Sequence, residues 1–231
     1  MQPRFLGQLG LADVVTVANA ALGFIAAAVA VFDTELAARL ILLAAIADGL
    51  DGVIARFRGG TPVGPILDSL ADVASFGVAP AVLVYALASG GEVTLDEPLA
   101  VAAVVVAALY VAMAVVRLGF YLLEDDGAPE TVGVQTTLAA TVLSVLHLAG
   151  VTDPAVFVAA TAAFAYLMVA SITYPELYAR DALILGGLQA CVVLFPTAFG
   201  RAFPRVLLVF ALGYLLLAPV AYWRSTEGKR S

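Results

Sequence analysis

The chain has 231 residues, of which 63% are hydrophobic and 13% charged, and its mean hydropathy is +1.04. Soluble domains carry about 25% charged residues and are about half apolar, so a water-soluble globule is excluded. The formal net charge of −7 excludes a nucleic-acid partner, whose phosphates require a basic face. The single Cys191 excludes an intrachain disulfide, a cysteine zinc site and a thiol redox pair.

Long apolar runs predict an all-α polytopic membrane protein of about eight transmembrane helices, at 14–32, 36–57, 64–88, 98–122, 134–149, 154–172, 181–198 and 204–223. Backbone polar groups in hydrocarbon must be satisfied within their own segment, and nothing alternates as a barrel strand would. Ahead of the first run, Pro3 to Ala12, with Phe5, Leu6, Leu9 and Leu11, predicts a short interfacial helix. The first run lacks a cleavage pattern and is expected to be retained. Breaks fall at Gly59-Gly60-Thr61-Pro62, Gly90 to Pro98, Glu124 to Gly133, Gly150 to Pro154, Thr173 to Asp181 and Gly200 to Pro204. Eight spans of about 20 residues use about 160 positions, which leaves no separate soluble domain. One integral-membrane domain over 1–231 is therefore expected, comprising an interfacial segment 1–12, a six-helix core 13–175, and two further helices with a tail, 176–231.

An even number of spans puts both ends on one side. Arg4, Arg56, Arg58, Arg180, Arg224, Lys229 and Arg230 then share that side, with Arg39, Arg201 and Arg205 opposite. The bias predicts that the first side is cytoplasmic, in a multi-pass protein of the cell membrane. Tyr222 and Trp223, followed by Arg224, read as an interfacial anchor. His147, the only histidine, falls near the opposite end of the fifth span, away from any chemistry on the cytoplasmic side.

Four aspartates lie at membrane depth, Asp48 and Asp51 late in the second span and Asp68 and Asp72 early in the third. Each costs about 2.5 to 3.5 kcal/mol at a helix centre, so four uncompensated ones cost on the order of 10 kcal/mol. Something cationic must offset them. Spacings of three and four place each pair on one helix face, and the short Phe57 to Val63 connection makes the two helices antiparallel neighbours. Arg56 and Arg58 are too few, and Asp48 lies about two turns deeper. A divalent ion fits better, because an all-oxygen carboxylate cluster selects Mg²⁺ or Mn²⁺, and two such ions would suit a pyrophosphate-containing substrate. From the acids alone an ion-coupled transporter remains an alternative, disfavoured by the lack of paired broken helices or inverted repeats.

The spacing carries more. Asp48-Gly-Leu-Asp51-Gly52-Val-Ile-Ala55-Arg56, then seven residues, then Gly64-Pro-Ile-Leu-Asp68-Ser-Leu-Ala-Asp72 resembles without a gap the signature D-x2-D-G-x2-A-R-x7-G-x3-D-x3-D of the CDP-alcohol phosphatidyltransferase family. Gly52 and Ala55 remove bulk from the aspartate-bearing surface so that a nucleotide can approach, and Gly64 lets the third span begin close to the second. The resemblance implies a six-helix membrane enzyme, usually a homodimer, that displaces CMP from a CDP-linked lipid with an alcohol. It implies that Asp48, Asp51, Asp68 and Asp72 hold the metal, that Asp51, Gly52, Ala55, Arg56 and Gly64 shape the CDP-lipid site, and that Asp72 is also the general base. Thr16 and Asn19 resemble the family's polar positions near the nucleotide. A carboxylate that accepts the proton of an attacking hydroxyl contributes about 100- to 10,000-fold.

Beyond the motif, Asp72-Val-Ala-Ser-Phe-Gly-Val-Ala-Pro80 is similar to the phosphatidylserine synthase branch, as are Arg117 and the Gly133-Val-Gln-Thr-Thr-Leu-Ala-Ala140 run. Where that branch usually has Leu-Pro, this chain has Val134 and Gln135. The resemblance covers about residues 10–175. Phosphorylated acceptors, as used by phosphatidylglycerophosphate or inositol-phosphate synthases of the same family, need several cations to hold a dianion, and here only Arg117 joins Arg56 and Arg58. One arginine suits one carboxylate, so L-serine is the expected acceptor, its carboxylate on Arg117 and its ammonium toward Glu124, Asp125 or Asp126; the alternative partners of Arg117 are the lipid phosphate and an aspartate. The expected reaction is transfer of a phosphatidyl or archaetidyl group to L-serine with release of CMP. Ester and ether chains, as in CDP-diacylglycerol and CDP-archaeol, are not distinguished by the residue types of an apolar groove.

Overall fold

A computed structural model of the chain describes residues 7–90, 97–124, 130–175 and 179–221. Helix α1 (Leu11–Ala30) buries a stripe of Thr16, Asn19, Gly23, Ala26 and Ala30, spaced three or four apart and small enough for a neighbouring backbone to approach closely. Helix α2 (Thr34–Arg58) is capped by Asp33, whose side chain accepts from the Leu36 N–H at 2.9 Å, and it ends with Arg56 and Arg58 in the last turn, where cations complement the helix dipole. Helix α3 (Gly64–Ser89) is α-helical over Gly64–Asp72, π-helical over Val73–Val78 and α-helical again over Ala79–Ser89. Then follow α4 (Pro98–Glu124), strand β1 (Glu130–Val132), α5 (Thr136–Leu148), α6 (Pro154–Leu167), strand β2 (Thr173–Pro175), α7 (Ala179–Leu194) and α8 (Ala198–Ala221).

Two apolar clusters bind the bundle. One gathers Tyr110, Leu143, Phe157 and Met168 from the α4 to α6 region with Ala211 and Leu215 of α8. The other gathers Ile41, Leu42, Phe76 and Leu83 with Val192 of α7 and Leu207 of α8. Large apolar side chains such as Phe24, Val209, Leu216 and Val220 stay exposed, as a lipid-facing surface requires.

Polar locks mark the two ends of the bundle. At one end Arg39 donates to the Val193 carbonyl at 2.8 Å, Arg201 to Leu148 O at 2.9 Å and Arg205 to Ala149 O at 3.5 Å. The three arginines expected to share the non-cytoplasmic side cap the carboxyl ends of α7 and α5. His147 lies there too, 3.0 Å from the Thr34 hydroxyl. At the other end β1 and β2 pair antiparallel, Thr131 opposite Tyr174, and Tyr214 donates to Pro175 O at 2.5 Å.

Among the described residues four helices, α1, α3, α4 and α8, are long and apolar enough to cross a membrane. Helix α2 carries too many charges to qualify by composition, although it is 25 residues long. Helices α5 and α6 are 13 and 14 residues, about 20 Å at 1.5 Å per residue, against a hydrocarbon core of about 30 Å. They fall short of the expected 134–149 and 154–172 because the chain beside them runs extended within the bundle. Val134 is fully buried, its N–H bonds Leu167 O at 3.0 Å, and Gly133 N bonds Ile172 O at 2.8 Å. Gly133 takes φ +78° and lies so close to the Met168 carbonyl that a Cβ would collide with it. The two strands are therefore an addition to the all-α expectation.

At the amino end, residues 7–10 are turn and coil, and Leu11 and Ala12 already belong to α1. The expected interfacial helix across Pro3 to Ala12 is corrected to that extent, since Gly7 takes φ +101°, a conformation foreign to an α-helix. The anchor at Tyr222, Trp223 and Arg224 falls outside the described residues, as do residues 1–6, Asp125, Asp126 and Glu176.

Candidate active site

Helices α2 and α3 run antiparallel across the Phe57 to Val63 connection, and α5 starts beside them. This gathers Asp48, Asp68 and Asp72, each offering a carboxylate oxygen within 4.8 Å of the others. From the first turn of α5, the Thr136 hydroxyl donates to Asp72 Oδ2 at 3.4 Å and that of Thr137 to Asp48 Oδ2 at 3.5 Å. The positive end of the α5 dipole points at the three carboxylates, which lowers the cost of assembling like charges there.

Asp72 is 8% exposed, and its Oδ1 is buried without a hydrogen-bond partner among the described residues. Buried polar oxygens are rarely left so. Hard oxygen donors converging at this distance, one with an unused lone pair aimed inward, fit a divalent cation. The cluster can hold a metal ion. Asp51, the fourth aspartate of the spacing argument, lies outside the group of three; its Oδ2 accepts from the Thr16 hydroxyl at 2.6 Å, with both residues buried.

The carboxylates form part of one wall of a cavity of about 540 Å³. The lining also includes Arg117 and Tyr121 of α4, Glu130 and Thr131 of β1, and Met168 beyond α6. Arg117 is 8% exposed; its Nη2 donates to Thr131 Oγ1 at 3.1 Å, its Nε is buried and unpartnered among the described residues, and its guanidinium lies 5.9 Å from the Tyr121 ring centre. The pairing of β1 with β2 fixes the backbone that carries Glu130 and Thr131. Arg117 thus shares the cavity with the aspartates. Of the acids expected to meet an acceptor's ammonium group, Asp125 and Asp126 lie outside the described residues, as does the side chain of Glu124.

Of the remaining motif positions, Gly64 sits on the α1 side. A Cβ at Gly52 would meet nothing within 4 Å, so open space stands over that backbone. Ala55 is half-buried and Arg56 exposed. Gly64 lies against α1, where a Cβ would come 3.3 Å from Asp13 Oδ1, so it serves the approach of α3 to α1 more than the approach to α2 that the sequence suggests. Asn19 is fully buried, and both ends of its amide lack a partner among the described residues.

Sequence reasoning overlooked Asp13, 2% exposed, which accepts from the Gly10 N–H at 2.7 Å and the Thr61 hydroxyl at 2.8 Å and ties α1 to the α2–α3 connection. A Gly-x-x-Asp sequence opening a helix is half of a capping box and was the available signal. Thr131, Thr136 and Thr137 carry no such local mark, because their partners are 14, 64 and 89 residues away.

Comparison with known proteins agrees with this geometry. Residues 9–174 match the family model described as CDP-alcohol phosphatidyltransferase. Archaetidylserine synthase of Methanothermobacter thermautotrophicus is 31% identical over 172 residues, 73% of this chain and 70% of that protein. CDP-diacylglycerol–serine O-phosphatidyltransferase of Bacillus subtilis is 29% identical over 130 residues, 56% and 68% of the two chains, and the Mycobacterium leprae protein of that name is 58% identical over 48 residues, 20% and 16%. The matched region runs from α1 through β2, and it contains every aspartate of the spaced motif and the cavity they share with Arg117. On that evidence the chain belongs to the CDP-alcohol phosphatidyltransferase family.

Proposed function

We propose that the protein transfers a phosphatidyl-type group from a CDP-linked lipid to L-serine, releasing CMP, in phospholipid synthesis. The relatives named as serine phosphatidyltransferases and archaetidylserine synthase support the acceptor and the lipid class. The observation that carries the reading is a cavity lined both by three convergent carboxylates and by one buried, partly unsatisfied arginine.

In this reading Asp48, Asp51, Asp68 and Asp72 hold Mg²⁺ or Mn²⁺, two ions in the family's manner, and Asp51, Gly52, Ala55, Arg56, Gly64, Thr16 and Asn19 form the CDP-lipid site. When bound, the ions neutralise the diphosphate and stabilise the charge that develops on the departing CMP. Asp72 accepts the serine hydroxyl proton as that oxygen bonds to the lipid-side phosphorus. The bond from this phosphorus to the CMP oxygen breaks, and CMP leaves with the electron pair. Thr136, donating to the other oxygen of Asp72, keeps the carboxylate oriented for this task. Arg117, steadied by Thr131, receives the serine carboxylate, and Glu130 on the same wall receives its ammonium group. Whether the lipid is CDP-diacylglycerol or CDP-archaeol changes none of these contacts.

The enzyme works as one catalytic unit, a homodimer in the cell membrane. All eight helices cross or enter the bilayer, and the cavity opens to the cytoplasm. The arginine distribution supports the orientation, and the family resemblance supports the dimer. Purified protein given CDP-lipid, Mn²⁺ and, separately, L-serine, glycerol 3-phosphate or inositol phosphate should release CMP with serine. Release with a phosphorylated alcohol and not with serine refutes the acceptor.

A further inference from the structure

Inside an α-helix each N–H bonds the carbonyl four residues earlier. Pro80 has no N–H, and its ring would crowd the Phe76 carbonyl. Helix α3 meets this conflict by widening one turn: Val73–Val78 is π-helical, and the Ala79 N–H reaches Ala74 O, five residues back. The Phe76 carbonyl loses the donor that position 80 would have supplied. The hydroxyl of Tyr110, from α4, donates to it instead at 2.9 Å, and both residues are 0% exposed. On the other flank the Ser75 hydroxyl donates to Asn19 O at 2.8 Å. Gly23 makes room for this contact, since a Cβ there would stand 2.6 Å from Ser75 Cα.

The widened turn begins at the residue after Asp72. One extra residue in a helix rotates everything before it by about 100° relative to an uninterrupted α-helix. The side after the turn is held by packing, because Ala79, Leu83 and Val84 are all fully buried. What the turn sets is therefore the direction of Asp68 and Asp72. We propose that Tyr110, assisted by Ser75, is a positioning residue that holds the π turn open and so aims Asp68 and Asp72 at Asp48. Tyr110 lies outside the spaced motif, contributed by a different helix, and acts on the site only through the Phe76 carbonyl. The inference rests on reading the three carboxylates as a divalent-cation site, and it is independent of the acceptor.

The test measures Mn²⁺ binding by titration calorimetry on the detergent-solubilised full chain, alongside its thermal unfolding midpoint. Tyr110→Phe should bind Mn²⁺ on the order of tenfold more weakly, the size expected when a buried carbonyl loses its donor. Pro80→Ala removes the conflict at the same carbonyl, so the Tyr110→Phe/Pro80→Ala pair should bind no more weakly than the worse single variant. Effects that multiply in the pair overturn the proposal. So does folded Tyr110→Phe with unchanged Mn²⁺ affinity, because a merely structural tyrosine would lower the midpoint and leave the affinity of the folded protein alone. Should Tyr110→Phe fail to fold, Ser75→Ala reads the same turn from its other flank, and unchanged Mn²⁺ affinity in that variant is equally fatal. If the unsubstituted protein binds no Mn²⁺, the metal reading fails and takes this inference with it; if it binds and the variants bind alike, only this inference fails.

Discussion

Replacing Thr16 by valine keeps the side-chain volume and deletes one hydrogen bond. The single proton of the Thr16 hydroxyl has two acceptors in reach, Asp51 Oδ2 at 2.6 Å and Ala12 O at 3.1 Å; the carboxylate is the nearer and the charged one, and Thr16 and Asp51 are 4% and 6% exposed, so water is a poor replacement for the lost donor. A hydrogen bond to a charged group is worth about 1.5 to 3 kcal/mol, and at about 1.4 kcal/mol per factor of ten this becomes roughly 10- to 150-fold in whatever Asp51 does. If Asp51 serves the CDP-lipid site, Thr16→Val should raise the CDP-lipid KM by about that factor and leave the serine KM near its original value. Thr16→Ser keeps the donor and should stay near the parent protein. The assay is CMP release in mixed micelles with either substrate varied against saturating levels of the other and of Mn²⁺. A folded Thr16→Val protein with unaltered CDP-lipid saturation would show that the contact serves only to pack α1 on α2.

Other expectations can be checked in the same assay. Asp72→Asn should lower turnover about 100- to 10,000-fold while retaining CDP-lipid binding, measured by equilibrium binding of labelled substrate, whereas Asp51→Asn should impair both; equal and mild losses contradict the assigned roles. Arg117→Lys, which cannot present a bidentate fork to a carboxylate, and Glu130→Gln should each raise the serine KM well above any change in the CDP-lipid KM. Gly133→Ala places a methyl group against the Met168 carbonyl at a φ of +78°, so thermal unfolding in detergent should move to lower temperature by at least the equivalent of about 1–2 kcal/mol, the cost of the left-handed backbone alone.

The motif was legible because its geometry is local. Asp48 and Asp51, and Asp68 and Asp72, share helix faces by spacing alone, and a connection as short as Phe57 to Val63 leaves their helices no arrangement except antiparallel contact. The end of the bundle at which His147 lies followed from its place along a single helix. The interruption of α3 was not read from the sequence, where 64–88 forms one unbroken span: Pro80 lacks the N–H of a regular turn, but the π turn and the replacement donor depend on a tyrosine of α4.

The residues alone established a lipid-dissolved helix bundle, the pairing of α2 with α3 and the carboxylate side of the cavity, since these depend on composition and on contacts within about 25 residues. Tertiary structure decided the rest: that Thr136 and Thr137 of α5 reach Asp72 and Asp48, that Thr131 steadies Arg117, that Asp51 accepts from Thr16 of α1, and that α5 and α6 stop short of full spans. Each joins segments distant along the chain, and helical periodicity says which face of an element is buried, not which neighbour it is buried against.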